Sequence, residues 1–270
     1  MDRRLFPATS TVAHESLKGI FDCARYTRGE ARQVSIPLVD LLAAPQGARE
    51  RQLTMGEGFT VIDHDRHFAF GFAARDGYCG WVPVTALEPE TVETHWVAAP
   101  ASHIYPEPRV QAREIATLSM GAKLTIVAEQ DGWAETTKGF IWAAHLRPLG
   151  EWMADPVAVA ERFLGTPYLW GGNSRAGIDC SGLVQISQIA CGRPCPGDAD
   201  LQQSIGTEVE GELTRGDLLF WKGHVALAMD ARRIIHATGA FMQVVIEETS
   251  TAIARIEAAG GGPVTAQRRP

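Results

Sequence analysis

The sequence has no long hydrophobic run and no cluster of charges of one sign, and each absence excludes a class of protein. No apolar stretch approaches the roughly 20 residues that a membrane-spanning helix needs. Aspartate and glutamate outnumber lysine and arginine by 32 to 25, and the net charge of −7 comes without a long acidic block. Nucleic acids and anionic membranes both favour clustered lysine and arginine. We therefore expect neither as a partner.

Cysteines are few, and the sequence offers no secretion signal. Residues 1–7 include two arginines but are followed by no apolar stretch and no small-residue cleavage site. The five cysteines are an odd number at wide spacing, which does not suit a disulfide framework, and they are Cys23, Cys79, Cys180, Cys191 and Cys195. Both features predict a reducing compartment, with the cytoplasm as the expected location.

Two segments before residue 150 share a β-rich pattern. Short β-branched and aromatic runs alternate with glycine and aspartate turns, which indicates small all-β units. Asp-Gly pairs at 76–77 and 131–132 suit hairpin turns that need positive φ. Over about residues 35–148 this pattern resembles paired bacterial SH3 domains. Two unrelated clusters of β-hairpins are the alternative.

A different pattern begins at Asp155. Aspartate followed by Pro156 is a good helix start, and apolar residues then recur at helical spacing. The chain length fits two or three small domains. We predict an N-terminal extension with a first SH3-like barrel, a second barrel, an α+β domain and a mobile glycine-rich tail, over residues 1–90, 91–150, 151–258 and 259–270.

Cys180 has the sequence context of a reactive thiol. The apolar residues after it recur at helical spacing, so Cys180 is expected at or near a helix N-terminus. There the helix dipole and unpaired N–H groups stabilise a thiolate, the nucleophilic form of cysteine. The glycine-rich run before Cys180 supplies backbone that can approach a substrate closely.

His224 and His236 are candidates for the base and its orienting partner. They lie in two runs that predict neighbouring strands of one hairpin. With the hairpin centred on Asp230, the two histidines would face each other across the strands. His236 could then orient His224, which activates Cys180, as in the nucleophile–base–orienter arrangement of cysteine hydrolases.

Each candidate also has a simpler interpretation. A lone cysteine at a helix start is often a small buried apolar residue, and a histidine in a strand is often a core or surface residue. Metal binding is a further alternative, because Cys191 and Cys195 lie four positions apart. No second ligand pair follows at the spacing of a zinc finger, so we expect no metal and no cofactor.

Four blocks of the sequence match a known family in order. They resemble the NlpC-type cell-wall peptidases, and they cover residues 165–172 leading into 179–182, then 215–220, 223–225 and 235–237. The resemblance implies a papain-like α+β fold for the third domain. It also implies that Cys180 is the nucleophile, His224 the base and His236 the third, orienting member.

The order of domains resembles the γ-D-glutamyl-L-diamino-acid endopeptidases, in which an acidic cluster holds the free amine of the peptide. The resemblance assigns substrate binding to five residues, namely Tyr78, Glu57, Asp179, Ser181 and Asp198. The family usually has a basic residue where Gly197 stands, so the sequence departs from the pattern beside Asp198. For Tyr78 and Glu57 the alternative is an exposed turn aromatic and a solvated acid.

The sequence thus predicts hydrolysis of the bond between γ-D-glutamate and a diamino acid in free murein peptides with an unblocked N-terminal L-alanine. An amidase or acyltransferase on the same papain-like frame is one alternative. A peptide-binding module with an inert peptidase domain is another, although the presence of Cys180, His224 and His236 argues against it. The diamino acid and the oligomeric state do not follow from the sequence.

Overall fold

The computed structural model describes residues 2–270, so Met1, the first residue of the predicted domain 1–90, lies outside the described residues. The chain divides into two compact units, the first ending at Leu149 and the second covering Gly150–Pro270. Each unit is described by itself below. Among the described residues, no helix is both long and apolar enough to cross a membrane.

The first unit opens with a short parallel strand pair followed by a seven-stranded antiparallel sheet, in the order β5-β4-β8-β7-β6-β3-β9. Its strands are β1 (Val12–His14), β2 (Arg25–Thr27), β3 (Glu30–Val34), β4 (Leu38–Leu42), β5 (Arg49–Thr54), β6 (Gly58–Asp65), β7 (Phe68–Ala73), β8 (Cys79–Pro83) and β9 (Leu87–Pro89). Along β4, buried and partly exposed residues alternate, as expected for a strand with one face on a core. Val39 and Leu41 point into that core and pack with Leu53 and Phe59.

The rest of the first unit consists of short strands around a second core. They are β10 (His95–Val97), β11 (Ala101–Ile104), β12 (Ala116–Ser119), β13 (Lys123–Leu124), β14 (Ile126–Gln130), β15 (Trp133–Thr136), β16 (Gly139–Trp142) and β17 (Leu146–Pro148). Asp131 and Gly132 form the tight turn between β14 and β15 with φ of 51° and 81°. The positive φ expected of this Asp-Gly pair is therefore confirmed.

The second unit contains four α-helices and a six-stranded antiparallel sheet in the order β20-β25-β21-β22-β23-β24. Its strands are β18 (Asn173–Ser174), β19 (Gly177–Ile178), β20 (Thr207–Glu208), β21 (Leu218–Trp221), β22 (His224–Ala228), β23 (Arg233–Thr238), β24 (Gln243–Glu248) and β25 (Ala266–Arg269). Its helices are α1 (Pro156–Glu161), α2 (Cys180–Ile189), α3 (Ala199–Gln202) and α4 (Thr249–Ala258). Short 3₁₀ turns complete the chain at Arg3–Leu5, Glu15–Leu17, Val84–Ala86 and Ala143–His145.

The start of α1 follows the local sequence. The Asp155 side chain accepts the backbone N–H of Val157 at 2.9 Å, and Pro156 is the first helical residue. This arrangement satisfies one of the N–H groups that a helix start leaves without a partner. The predicted helix start is confirmed.

The predicted mobile tail over residues 259–270 is wrong for its last part. Residues 266–269 form β25, which lies between β20 and β21 inside the sheet. Arg269 also donates to both oxygens of Asp217, each at 2.8 Å, and Asp217 is only 1% exposed. The glycine-rich composition suggested mobility, but backbone pairing with a distant strand and a buried ion pair order this segment.

Candidate active site

Cys180 is the first residue of α2 and is only 6% exposed. Asp179 is the N-cap, and its Oδ1 atom accepts the backbone N–H of Gly182 at 2.6 Å. Its Oδ2 atom accepts the backbone N–H of Gly171 at 2.9 Å. One carboxylate therefore fixes both the start of α2 and the glycine-rich loop before it. The predicted position of Cys180 at a helix N-terminus is confirmed.

The residues beside Cys180 are buried and hydrogen-bonded. The hydroxyl of Ser181 donates to Asp179 at 3.1 Å. Burial, with further contributions from Cys180 and Asp179, raises the pKa of the Tyr168 phenol. Tyr168 consequently stays protonated at neutral pH and keeps a donor near the thiol. Sequence reasoning quoted Tyr168 within its motif but gave it no role.

A chain of hydrogen bonds joins His224 to two further residues across three strands. Nε2 of His224 lies 2.8 Å from Nδ1 of His236, and Nε2 of His236 lies 2.7 Å from Oε2 of Glu247. These residues belong to β22, β23 and β24, and α2 packs against β22 and β23. The structure thus brings His224 and His236 together and adds a carboxylate that sequence reasoning missed.

The predicted register of the histidine hairpin is wrong by two residues. Leu227 pairs with Ile235, so the strands turn about residue 231, and His236 does not stand directly opposite His224. The reason lies in the turn, where Oδ1 of Asp230 accepts the N–H groups of Arg232 and Arg233, each at 2.9 Å. The two histidines are diagonal neighbours whose rings are long enough to meet.

Burial keeps both imidazoles neutral. Desolvation lowers the pKa of His224 to about 3, and the electrostatic influence of His236 and Arg255 acts in the same direction. Desolvation also lowers the pKa of His236, although its hydrogen bond to Glu247 opposes this shift. A neutral imidazole has a lone pair, so His224 can accept a proton.

These shifts predict that the protein loses stability in mild acid. The pKa of histidine in the unfolded chain is about 6.5, and in the folded protein it is lower. Below pH 6.5 the unfolded state therefore binds a proton that the folded state does not, and the stability of the fold decreases. The free energy of unfolding should fall by about 1.4 kcal/mol per pH unit below pH 6.5 for each such histidine. Urea denaturation at pH 7.0 and 5.5 measures the effect.

A matched variant isolates the contribution of the buried pair. His236→Gln should show a shallower loss between the same two pH values, because one buried imidazole is gone. Carboxylates with lowered pKa, such as Asp217, lose their contribution only below about pH 5. Equal stability of the unmodified protein at pH 7.0 and 5.5 would contradict neutral, buried imidazoles.

The remaining substrate-binding residues that the resemblance implies are divided between the two units. Asp198 is half-buried at the N-cap of α3. Tyr78 and Glu57 lie in the first unit and are 3% and 4% exposed. Glu57 pairs with Arg75 at 2.9 Å and accepts the N–H of Thr54 at 2.6 Å. The alternative of an exposed aromatic and a solvated acid is therefore wrong.

Sequence reasoning also missed Arg255 on α4, which binds Glu247 through two donors. Its Nε atom lies 3.1 Å from Oε1, and its Nη2 atom lies 2.5 Å from Oε2. In the sequence, Glu247 stands out only because it directly follows the apolar run 244–246. Among the described residues, no group of three or more His, Cys, Asp or Glu side chains is arranged to hold a metal ion.

Comparison with known proteins identifies two domains in this chain. The model described as "NlpC/P60 family" matches residues 165–258, and the model described as "Bacterial dipeptidyl-peptidase Sh3 domain" matches residues 41–87. A protein named γ-D-glutamyl-L-lysine dipeptidyl-peptidase from Bacillus subtilis is 30% identical over 182 residues, which are 60% of this chain and 60% of that protein. Its namesake from Bacillus cereus is 25% identical over 241 residues, covering 75% of this chain and 71% of that protein.

A solved structure agrees at the level of the fold. The crystal structure of an NlpC/P60 family protein from Bacillus cereus superimposes with a TM-score of 0.75 at 20% sequence identity, covering 89% of this chain and 99% of that one. The two domain matches fall on the seven-stranded sheet of the first unit and on the unit that contains Cys180, His224 and His236. Residues 165–258 are therefore an NlpC/P60 domain, the domain of a family of cysteine peptidases, and residues 41–87 ahead of it are a bacterial SH3 domain.

Proposed function

We propose that this chain hydrolyses the bond between γ-D-glutamate and a diamino acid in free murein peptides, as a step of cell-wall peptide recycling in the cytoplasm. The observation that carries the proposal is the hydrogen-bonded pair of His224 and His236 on strands that pack against the helix beginning at Cys180. The names of the two Bacillus relatives support the same bond as the site of cleavage.

In the proposed mechanism Cys180 is the nucleophile and His224 its base. Nε2 of His224 is engaged by His236, so the other ring nitrogen, Nδ1, is the one available to the thiol. Nδ1 takes the thiol proton while Sγ attacks the γ-carbonyl carbon. The backbone N–H of Cys180 contributes to stabilising the oxyanion. His224 then protonates the leaving amine, and water releases the acyl group.

His236 is proposed to hold the ring of His224 in place. It is 0% exposed and bonded on both ring nitrogens, which restricts its own rotation. A fixed partner reduces the number of ring orientations that the base must sample before it reaches a productive one. This is the third, orienting position of the nucleophile–base–orienter arrangement.

We further propose the finer architecture. The NlpC/P60 domain over residues 151–258 is papain-like, with a helix that starts at the nucleophile packed on an antiparallel sheet. The short strands over residues 91–150 are a second SH3-like barrel, supported by their separate core. The first barrel and the N-terminal extension then occupy residues 1–90.

The specificity that we propose is for peptides with a free N-terminal amine. The resemblance assigns binding of that amine to carboxylates, including Asp198 and Glu57, and to the Tyr78 phenol, with Asp179 and Ser181 beside the nucleophile. An ammonium group pairs well with carboxylates, whereas an acylated nitrogen carries no charge to pair with them. Sites built on such polar pairing reject analogues that lack the group by several orders of magnitude.

The test is the tripeptide L-Ala-γ-D-Glu-diaminopimelate and its N-acetylated form. We expect release of the dipeptide L-Ala-γ-D-Glu from the first, detected by mass spectrometry. We expect a kcat/KM about 1,000-fold lower for the acetylated peptide, because its acylated nitrogen carries no charge that a carboxylate can pair with. No dipeptide from the free peptide would refute the proposed substrate, and equal rates would refute the proposed recognition of the amine.

A further inference from the structure

Among the described residues, Glu247 is the one acid bonded to the histidine pair, and nothing in the proposed mechanism uses it. Its side chain is 9% exposed and lies on β24, two residues along from Val245, which pairs with His236. Arg255 holds both of its oxygens from α4. A buried carboxylate that is fixed from two sides can impose an orientation on whatever it contacts.

The position of each proton in this chain follows from which atoms can accept. Burial raises the pKa of Glu247, but hydrogen bonds from Arg255 and His236 outweigh it, so the net shift is downward and the group is ionised. An ionised carboxylate only accepts hydrogen bonds. The 2.7 Å contact therefore requires the proton of His236 to be on Nε2, since a lone pair there would face a second acceptor.

The same reasoning extends to the next ring. A neutral imidazole has a single N–H, so His236 with its proton on Nε2 has a lone pair on Nδ1. The 2.8 Å contact with His224 then requires a proton on Nε2 of His224. His224 is left with a lone pair on Nδ1, the nitrogen that must receive the proton of the thiol. The opposite tautomer of either ring would place an N–H there instead.

We infer that Glu247, held by Arg255, is a positioning residue that fixes the tautomers of His236 and His224 and so makes Nδ1 of His224 the base for Cys180. This inference rests on the proposed function for its catalytic consequence, but its tautomers are a property of the protein without substrate. During the reaction the Nε2 atoms of His236 and His224 keep their protons, and Glu247 stays ionised. Glu247 acts through the rings and does not touch the substrate.

The first test is the ¹⁵N NMR spectrum of the imidazoles in the unmodified protein at pH 7.5, where no variant has to fold. Both His224 and His236 should show a protonated Nε2 and an unprotonated Nδ1. A protonated Nδ1 on either ring would overturn the inference. This experiment needs no substrate, so it remains decisive even if the proposed tripeptide is not cleaved.

The second test is Glu247→Ala, compared with Glu257→Ala on the exposed side of α4. Alanine removes the acceptor of the His236 Nε2–H group, so this position no longer selects the tautomer or the orientation of either ring. We expect kcat to fall about 100-fold with KM changed less than twofold, because only the base is affected. The alkylation of Cys180 by iodoacetamide should slow by a similar factor.

The outcomes separate this inference from the proposed function. Glu257→Ala should match the unmodified protein in every measurement. Should Glu247→Ala keep the original tautomers, kcat and alkylation rate, the positioning role is refuted while the peptidase assignment stands. If the tripeptide is not cleaved but the tautomers and the alkylation rates behave as expected, only the proposed substrate fails. Glu247→Asp keeps the charge and should retain the original tautomers.

Discussion

Cys180→Ala should abolish release of the dipeptide from L-Ala-γ-D-Glu-diaminopimelate, with kcat lowered by about 10⁴-fold or more. The proposed reaction forms a thioester between Sγ and the γ-glutamyl carbonyl, and alanine offers no atom that can form that bond. Removal of the nucleophile from a nucleophile–base pair generally leaves only the small catalysis due to binding and oxyanion stabilisation. Mass spectrometry of the reaction over several hours measures the residual rate.

Cys191→Ala is the matched control, because it makes the same change at a half-buried cysteine beyond the end of α2. Burial raises the pKa of the Cys191 thiol, so it should be a poor nucleophile and its loss should leave kcat unchanged. If Cys180→Ala were as active as Cys191→Ala, Cys180 would not be the nucleophile. Iodoacetamide labelling of the unmodified protein, mapped by peptide analysis, should identify Cys180 as the thiol that reacts fastest.

Gly182→Ala should destabilise the second unit and lower kcat/KM, although helix propensity alone predicts the reverse. Alanine in the interior of a helix is favoured over glycine by about 1 kcal/mol. At Gly182, however, a Cβ atom would lie closer than 3.0 Å to the carbonyl oxygen of Gly172. A backbone carbonyl cannot rotate away from the new Cβ atom as a flexible side chain can. The start of α2 and the glycine-rich loop that contains Gly172 must therefore move apart.

We expect the free energy of unfolding to fall by about 2 kcal/mol and kcat/KM to fall about 100-fold in this variant. The second effect arises because a displaced helix start moves Cys180 relative to its base. Gly239→Ala is the control, since nothing lies within 4 Å of the Cβ position there. Urea denaturation and tripeptide kinetics measure both variants. Unchanged stability and activity in Gly182→Ala would mean that the close packing on Gly172 is absent.

Features that depend on neighbouring residues were predicted well from the sequence. The helix starts after Asp155 and at Cys180 were both expected, and the cap at Asp155 was expected with the first; the cap at Asp179 was not, although it too acts on a residue only three positions away. The Asp-Gly turn at 131–132 follows from the backbone preferences of its own two residues. At these helix starts and at this turn, the residues that make the stabilising contacts are the same few neighbouring residues that form the pattern in the sequence.

Features that depend on distant residues were not predicted. The hairpin register was wrong because the side chain of Asp230 selects one turn among several that the composition allows. The C-terminal strand was missed because its partners, residues 218–220, lie far away in the chain. Glu247 escaped notice because its place beside His236 depends on which residues of β23 and β24 pair.

The sequence by itself determined the domain types and the candidate nucleophile, base and orienting residue, since each is encoded in a short motif whose spacing is visible along the chain. Only the tertiary structure decided that a carboxylate and an arginine complete the histidine pair and thereby fix where its protons lie. The physical reason is that hydrogen bonds between side chains on separate strands require a specific register and burial. Both are set by the packing of the whole unit rather than by any one segment.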